Sequence, residues 1–226
     1  MPEQQFVHAA RVMNGVSVGL EQRILAWLAR RMPPAIGADH LTALGFVAMA
    51  GAGACFWLGR SHRAALLGVI VCLAVNWFGD SLDGTIARVR HQERPRYGFY
   101  VDHVLDMFGT SCLLGGLALS GYMSPLVALG LLASYLMLTT EVYLATYSLA
   151  TFRLAFWKLG PTELRIVLAV GTLVLLAKPW VEVFGHHHRL FDIGAVVAAA
   201  GILFTLLVAT VRHTIDLYRA EPLRRR

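Results

Sequence analysis

Long uncharged runs, separated by short polar segments, organise this chain. Residues 41–59, 64–79, 107–140, 166–177 and 193–211 contain no Asp, Glu, Lys or Arg. A helix that crosses a bilayer needs about 20 mostly apolar residues. The run 107–140 is too long for one crossing, and Gly121-Tyr122-Met123-Ser124-Pro125 inside it is a turn signal. Splitting there, and extending 166–177 into its mostly apolar flanks, predicts six spans near 41–59, 64–83, 99–119, 125–151, 162–183 and 192–212. The continuous runs exclude a membrane β-barrel, whose short strands alternate apolar and polar residues.

Ahead of the first span, residues 19–31 place Leu20, Ile24, Trp27, Leu28 and Arg31 at helical spacing. This predicts an amphipathic helix lying on the membrane surface or, alternatively, capping its own bundle. No internal repeat or low-complexity tract divides the chain. The expected fold is all-α: one integral membrane bundle of six transmembrane helices with an N-terminal amphipathic surface helix. Residues 1–38 form a cytoplasmic juxtamembrane segment, 39–213 the transmembrane catalytic domain and 214–226 a basic cytoplasmic tail. The N-terminus lacks a short apolar core with a small-residue cleavage site, so no signal peptide is expected.

Composition agrees and removes other classes. Of the 226 residues 57% are hydrophobic and 15% charged, against roughly 25% charged in ordinary soluble domains. That excludes a disordered chain. It also excludes a basic nucleic-acid binder, which needs a polar surface to carry its charge. Cys55, Cys72 and Cys112 all fall within spans and read as small apolar fillers, not as disulfides or metal ligands.

The net charge of +6 has a location. With six spans, both termini and the loops after spans 2 and 4 share one side. That side holds 16 of the 20 cations, from Arg11 to Arg226, and leaves only Arg60, Arg63, Lys178 and Arg189 opposite. The positive-inside rule makes this side cytoplasmic, in a multi-pass inner-membrane protein. Anionic lipid is the partner expected around its rim.

Four of the seven Asp lie close together on that same side: Asp80, Asp83, Asp102 and Asp106. The first two are i,i+3 and the last two i,i+4, so each pair shares one helical face. One pair ends span 2 and the other begins span 3. An Asp at a helix centre costs about 2.5–3.5 kcal/mol on insertion, and clustered anions repel. The spans contain no matching set of four cations. Divalent metal with oxygen ligands, Mg²⁺, Ca²⁺ or Mn²⁺, would pair them. Two such ions are the usual apparatus for in-line displacement at phosphorus. The plainer alternative for any one of these acids is a water-filled vestibule or ion pathway. Gly84, Ala87 and Gly98 remove bulk beside the acids, which suits either a ligand or tight helix packing. Arg88, one turn beyond Asp83, can pair with a carboxylate or grip a phosphate.

This segment resembles the signature of the CDP-alcohol phosphotransferase family, D-x2-D-G-x2-A-R-x(8–9)-G-x3-D-x3-D. All eight fixed positions match: Asp80, Asp83, Gly84, Ala87, Arg88, Gly98, Asp102 and Asp106. The resemblance implies transfer of a substituted phosphoryl group from a CDP-alcohol to a lipid or polar alcohol, with release of CMP. It implies two divalent ions, Mg²⁺ or Mn²⁺, on Asp80, Asp83, Asp102 and Asp106, with Asp106 as the base. Gly84, Ala87, Arg88, Gly98 and Thr42 would line the nucleotide site, and a homodimer is implied as well. Family members often begin their first span P-N-x-L/I-T. Here Ala38-Asp39-His40-Leu41-Thr42 keeps Thr42, while Asp39, in place of Asn, reads as a helix N-cap.

Asp102-His103-x-x-Asp106, Glu141 and Gly160-Pro161-Thr162-Glu163 are similar to the choline/ethanolamine phosphotransferase branch. There the His is thought to help activate a diacylglycerol hydroxyl, which would make His103 a catalytic residue. Its other reading is packing, and Glu163 can simply sit in the first turn of span 5 behind Pro161. The competing branch pairs CDP-diacylglycerol with glycerol phosphate, inositol phosphate or serine. Arg153, Lys158 and Arg165 could bind such an acceptor, but read first as ordinary positive-inside charges. His186, His187 and His188 read as a solvated loop rather than a metal tract. A cation transporter is the alternative of another class. Its site would lie near the midplane, at broken helices within an internal repeat. A scaffold with a dead site would show an incomplete motif.

Overall fold

The computed structural model describes residues 18–149, 161–183 and 185–221. Arg11, Arg153, Lys158, Gly160, Arg224, Arg225 and Arg226 lie outside them. The elements run α1 (Val18–Arg31), α2 (Ala38–Gly59), α3 (Ala65–Val89), α4 (Pro95–Ser120), α5 (Pro125–Leu149), α6 (Pro161–Ala177), β1 (Trp180–Val183), β2 (His186–Arg189) and α7 (Leu190–Ala220). Among the described residues, α2, α3, α4, α5 and α7 are long and apolar enough to cross a membrane. Large apolar side chains such as Val47, Val71, Phe108, Leu126, Leu144, Val197 and Leu207 stand exposed around the bundle. A soluble monomer rarely shows so much contiguous apolar surface. The chain is an all-α multi-pass membrane bundle.

The turn predicted at 121–125 stands where expected, with Gly121 in the left-handed region at φ 81° closing α4. Ser124 at the start of the next helix donates both its N–H and its hydroxyl to Asp192 of α7, each at 2.6 Å. The fifth predicted span ends early. Helix α6 stops at Ala177, because Pro179 disfavours helix at Lys178 before it. Residues 180–183 form the first strand of an antiparallel hairpin instead, with Trp180 opposite Arg189 and Glu182 opposite His187. The three histidines are therefore an exposed strand, not a loop. Helix α6 has 17 residues, fewer than the about 20 of a full span. At 31 residues, α7 is about 46 Å long and runs beyond the predicted end at 212.

Helices α3 and α4 also outrun their predicted ends, so every fixed position of the acidic motif is helical. The turn between them is tight. Gln92 N–H reaches Ala87 O at 2.9 Å and His91 N–H reaches Arg88 O at 3.2 Å. This is a Schellman end with His91, at φ 54°, in the position glycine usually takes. Arg90 follows the last turn of α3 and donates to the carbonyls of Met32, Pro33, Pro34 and Ile36, tying down the segment between α1 and α2. Asp39 is not the N-cap. Gly37 holds that position, its N–H bonded to His40 Nδ1 at 3.2 Å. Asp39 lies in the first turn and takes Arg94 Nη2 on both oxygens at 2.5 Å, which also raises the pKa of Arg94.

Helix α1 packs on the bundle through Leu25 and Ala29, against Leu41, Leu82 and Ile86. Part of the predicted stripe, Ile24 and Trp27, is left about half exposed at 47% and 51%, with Arg31 stacked 4.0 Å over the Trp27 ring. A second and larger apolar cluster, built around Phe56, Leu66, Leu117, Leu175 and Phe191, fills the opposite end. Along α2 and α3 the two clusters flank a polar stretch.

Helix α2 is wedged between α3 and α4 at two glycine crossings. A Cβ on Gly79 would sit 2.6 Å from Leu41 O, and one on Gly116 would sit 2.0 Å from Gly53 O. Both are backbone contacts, so neither side can yield. Such close approach is what small residues permit between membrane helices.

Candidate active site

The polar stretch is a pocket between α2, α3 and α4. All four motif Asp line it, with Thr42, Asn76 and the apolar Phe46, Met49 and Leu105. Asp80, Asp102 and Asp106, all half-buried, bring carboxylate oxygens within 4.8 Å of one another. Oxygens on one Mg²⁺ at about 2.1 Å lie at most about 4.2 Å apart, so small rotamer adjustments would close this set on an ion. An all-oxygen donor set suits Mg²⁺ or Mn²⁺. The residues present fit a divalent metal.

Asp83 shares the pocket but stands outside that trio. Its Oδ2 accepts the Thr42 hydroxyl at 2.8 Å. Thr42 thus lines the pocket with its hydroxyl on Asp83. Asp80 is engaged from another helix. Arg165 of α6 donates Nη2 to Asp80 Oδ2 at 2.8 Å and Nε to Asn76 Oδ1 at 2.7 Å. Asn76, 4% exposed, donates in turn to Gly45 O at 3.0 Å. Arg165 is therefore no ordinary peripheral cation, because its side chain is only 15% exposed.

Sequence reasoning missed Asn76 altogether. A buried Asn inside a predicted span, four residues before the first Asp of the motif, was the available signal.

Asp80, Asp83, Gly84 and Ala87 form one stripe of α3 at i, i+3, i+4 and i+7. Gly98, Asp102 and Asp106 form one stripe of α4. Both stripes run from the acids toward the helix ends at the turn. A Cβ on Gly98 would meet nothing within 4 Å, and one on Gly84 only the flexible tip of Arg88 at 3.4 Å. Helix packing therefore does not require these two glycines. Arg88 is exposed, donates to Thr85 Oγ1 at 3.2 Å and makes no ion pair among the described residues.

His103 is not among the residues lining the pocket. Its Nδ1 lies 2.7 Å from Phe99 O, so Nδ1 carries the proton and donates. The ring stacks on Phe99 at 4.1 Å and meets the edge of Tyr143 at 5.3 Å. Glu141 is not brought to His103. It pairs with His213 of α7 at 2.6 Å, across the α5–α7 seam, with Oε2 buried and without a partner among the described residues. Glu163 lies in the first turn of α6.

A family model described as CDP-alcohol phosphatidyltransferase matches residues 36–211. That stretch contains α2 through most of α7, and with them every residue of the pocket. No curated protein matches the chain.

Proposed function

Starting from the fact that the chain belongs to the CDP-alcohol phosphatidyltransferase family, and so is a transferase of substituted phosphate groups that acts on CDP-alcohols, we propose how this pocket performs the transfer. The observation that carries the reading is the meeting of Asp80, Asp102 and Asp106 beside Asp83 in one half-buried pocket. These four residues would hold two divalent ions, Mg²⁺ or Mn²⁺. When bound, the ions neutralise charge on the CDP pyrophosphate and on the departing CMP.

The remaining steps belong to the chain. Asp106 accepts the proton of the acceptor hydroxyl, whose oxygen attacks the phosphorus that bears the alcohol. The bond from that phosphorus to the CMP oxygen breaks in line, and CMP leaves. Thr42 holds Asp83 in place. The open faces at Gly84, Ala87 and Gly98 admit the nucleotide, and Arg88 reaches it from the exposed end of α3. Catalysis here is mostly positioning and charge.

The setting follows the charge count. Helix α6 is the sixth span in this reading. Both termini and the pocket face the cytoplasm, in the inner membrane. The exposed Ile24–Trp27 stripe of α1 rests on the membrane surface. By resemblance the working unit is a homodimer.

The donor follows from D-H-x-x-D. The resemblance of Asp102-His103-x-x-Asp106 to the choline/ethanolamine branch favours a CDP-aminoalcohol donor and a diacylglycerol-like acceptor. A second reading rests on Arg165. A half-buried arginine beside the pocket, its Nη1 buried and without a partner among the described residues, suits CDP-diacylglycerol with a polar, phosphate-bearing acceptor. Radiolabelled CDP-choline, CDP-ethanolamine and CDP-diacylglycerol, each offered to a panel of acceptors, separate the two. The first reading expects label from CDP-choline or CDP-ethanolamine in a diacylglycerol product. Transfer only from CDP-diacylglycerol to a phosphorylated or polar alcohol overturns it in favour of the second.

A further inference from the structure

Arg165 makes a contact at the edge of this pocket that neither donor reading calls for. It enters from α6, a helix that contributes no acid to the cluster, and takes an oxygen of Asp80 at 2.8 Å. Its direction is set by Asn76, which receives Nε at 2.7 Å and is itself anchored on the α2 backbone. This chain of bonds ties α2, α3 and α6 to one carboxylate. Three half-buried carboxylates with oxygens within 4.8 Å of one another repel strongly. A guanidinium held on one of them supplies the opposite charge that burial demands.

We infer that Arg165 is a built-in counter-cation of the metal site: it stabilises the carboxylate cluster when no metal is bound, and it competes with divalent metal for Asp80. The inference rests on the metal-site reading above and deepens it. A fixed positive charge held on one ligand lowers the affinity of the whole set for a cation. The same charge keeps the metal-free bundle from being forced open by its own acids. The site then trades tight metal binding for stability while empty. Asn76 is the positioning residue of the device, since it fixes the guanidinium without touching the cluster through a charge.

The test is metal binding, read without turnover. The full chain in detergent is titrated with Mn²⁺, and free Mn²⁺ is followed by its paramagnetic resonance signal. Arg165→Gln is expected to bind Mn²⁺ at least about threefold more tightly than the unaltered chain. In chelator, Arg165→Gln is expected to melt at a lower temperature than the unaltered chain, and saturating Mn²⁺ should close that gap. A merely structural role would lower both melting temperatures alike and would overturn the inference. Equal or weaker Mn²⁺ binding by Arg165→Gln would overturn it too. If Arg165→Gln does not fold, Arg165→Met decides. It also removes the charge while keeping an unbranched stem, so tighter binding than the unaltered chain supports the inference and unchanged binding refutes it. Failure of the unaltered chain to bind Mn²⁺ would refute the metal site itself. Binding by that chain with no gain on substitution would refute only the role of Arg165.

Discussion

Asp106→Asn is expected to lower CMP release by about 10³-fold or more, with the chain still folded. Two losses combine in this one substitution. Asp106 is one of three acids whose oxygens converge within 4.8 Å, so the amide removes a charged ligand from the set. It also removes the group to which we assign the acceptor proton, and an amide nitrogen cannot replace a carboxylate in that role. The side chain is nearly isosteric and only half-buried, so packing changes little. The comparison that gives the result meaning is Asp83→Asn. Asp83 stands outside the convergent trio and is held by Thr42, so its loss is expected to cost less than that of Asp106. Initial rates of CMP release, with melting temperatures of both variants, check the order. Turnover that survives Asp106→Asn would show that the base has been wrongly assigned.

Gly116→Ala is expected to be the most damaging single-methyl substitution in the bundle. Its Cβ would lie 2.0 Å from Gly53 O and 2.3 Å from Gly53 C. Real Cβ atoms do not come that close to backbone, so α4 must move away from α2. Overpacking of this kind costs about 1–3 kcal/mol. Function should suffer as well, because Thr42 and Phe46 on α2 face Asp102 and Asp106 on α4 across the same pocket. Gly115 provides the control from the same turn of α4. A Cβ there meets nothing within 4 Å, and Ala in place of Gly favours a helix by about 0.5–1 kcal/mol. Thermal melts in detergent should therefore show Gly116→Ala strongly destabilised and Gly115→Ala unchanged or improved. If the two respond alike, the α2–α4 crossing is not at Gly53 and Gly116.

The features legible in the sequence were those with short range. Uncharged runs located the long helices because lipid imposes the same apolar demand along a whole span. The four Asp could be placed on shared faces because i,i+3 and i,i+4 geometry is local. Other features depend on partners far along the chain. Arg165 reads as one more positive-inside charge until α6 packs against α3 and brings it to Asp80, 85 residues away in sequence. Asp39 looks like a cap until Arg94, 55 residues later, takes both its oxygens. Glu141, inside a predicted span, finds its partner only in His213 on α7, 72 residues away. The glycine crossings were hidden for a related reason. Gly53 and Gly116 are unremarkable among the 21 glycines until two helices meet on them. The early end of α6 was the exception, since Lys178-Pro179 was a local stop signal overridden by the apolar residues after it.

The central claim is that the Asp pocket performs metal-dependent transfer from a CDP-alcohol. The most direct test is CMP release by the purified full chain in detergent, with donor and acceptor alcohols present, in chelator and then in Mg²⁺ or Mn²⁺. The account predicts no CMP in chelator, release on adding either metal, and a requirement for the acceptor. CMP release that ignores chelation, or a folded, metal-replete chain that releases none from any CDP-alcohol, would contradict it.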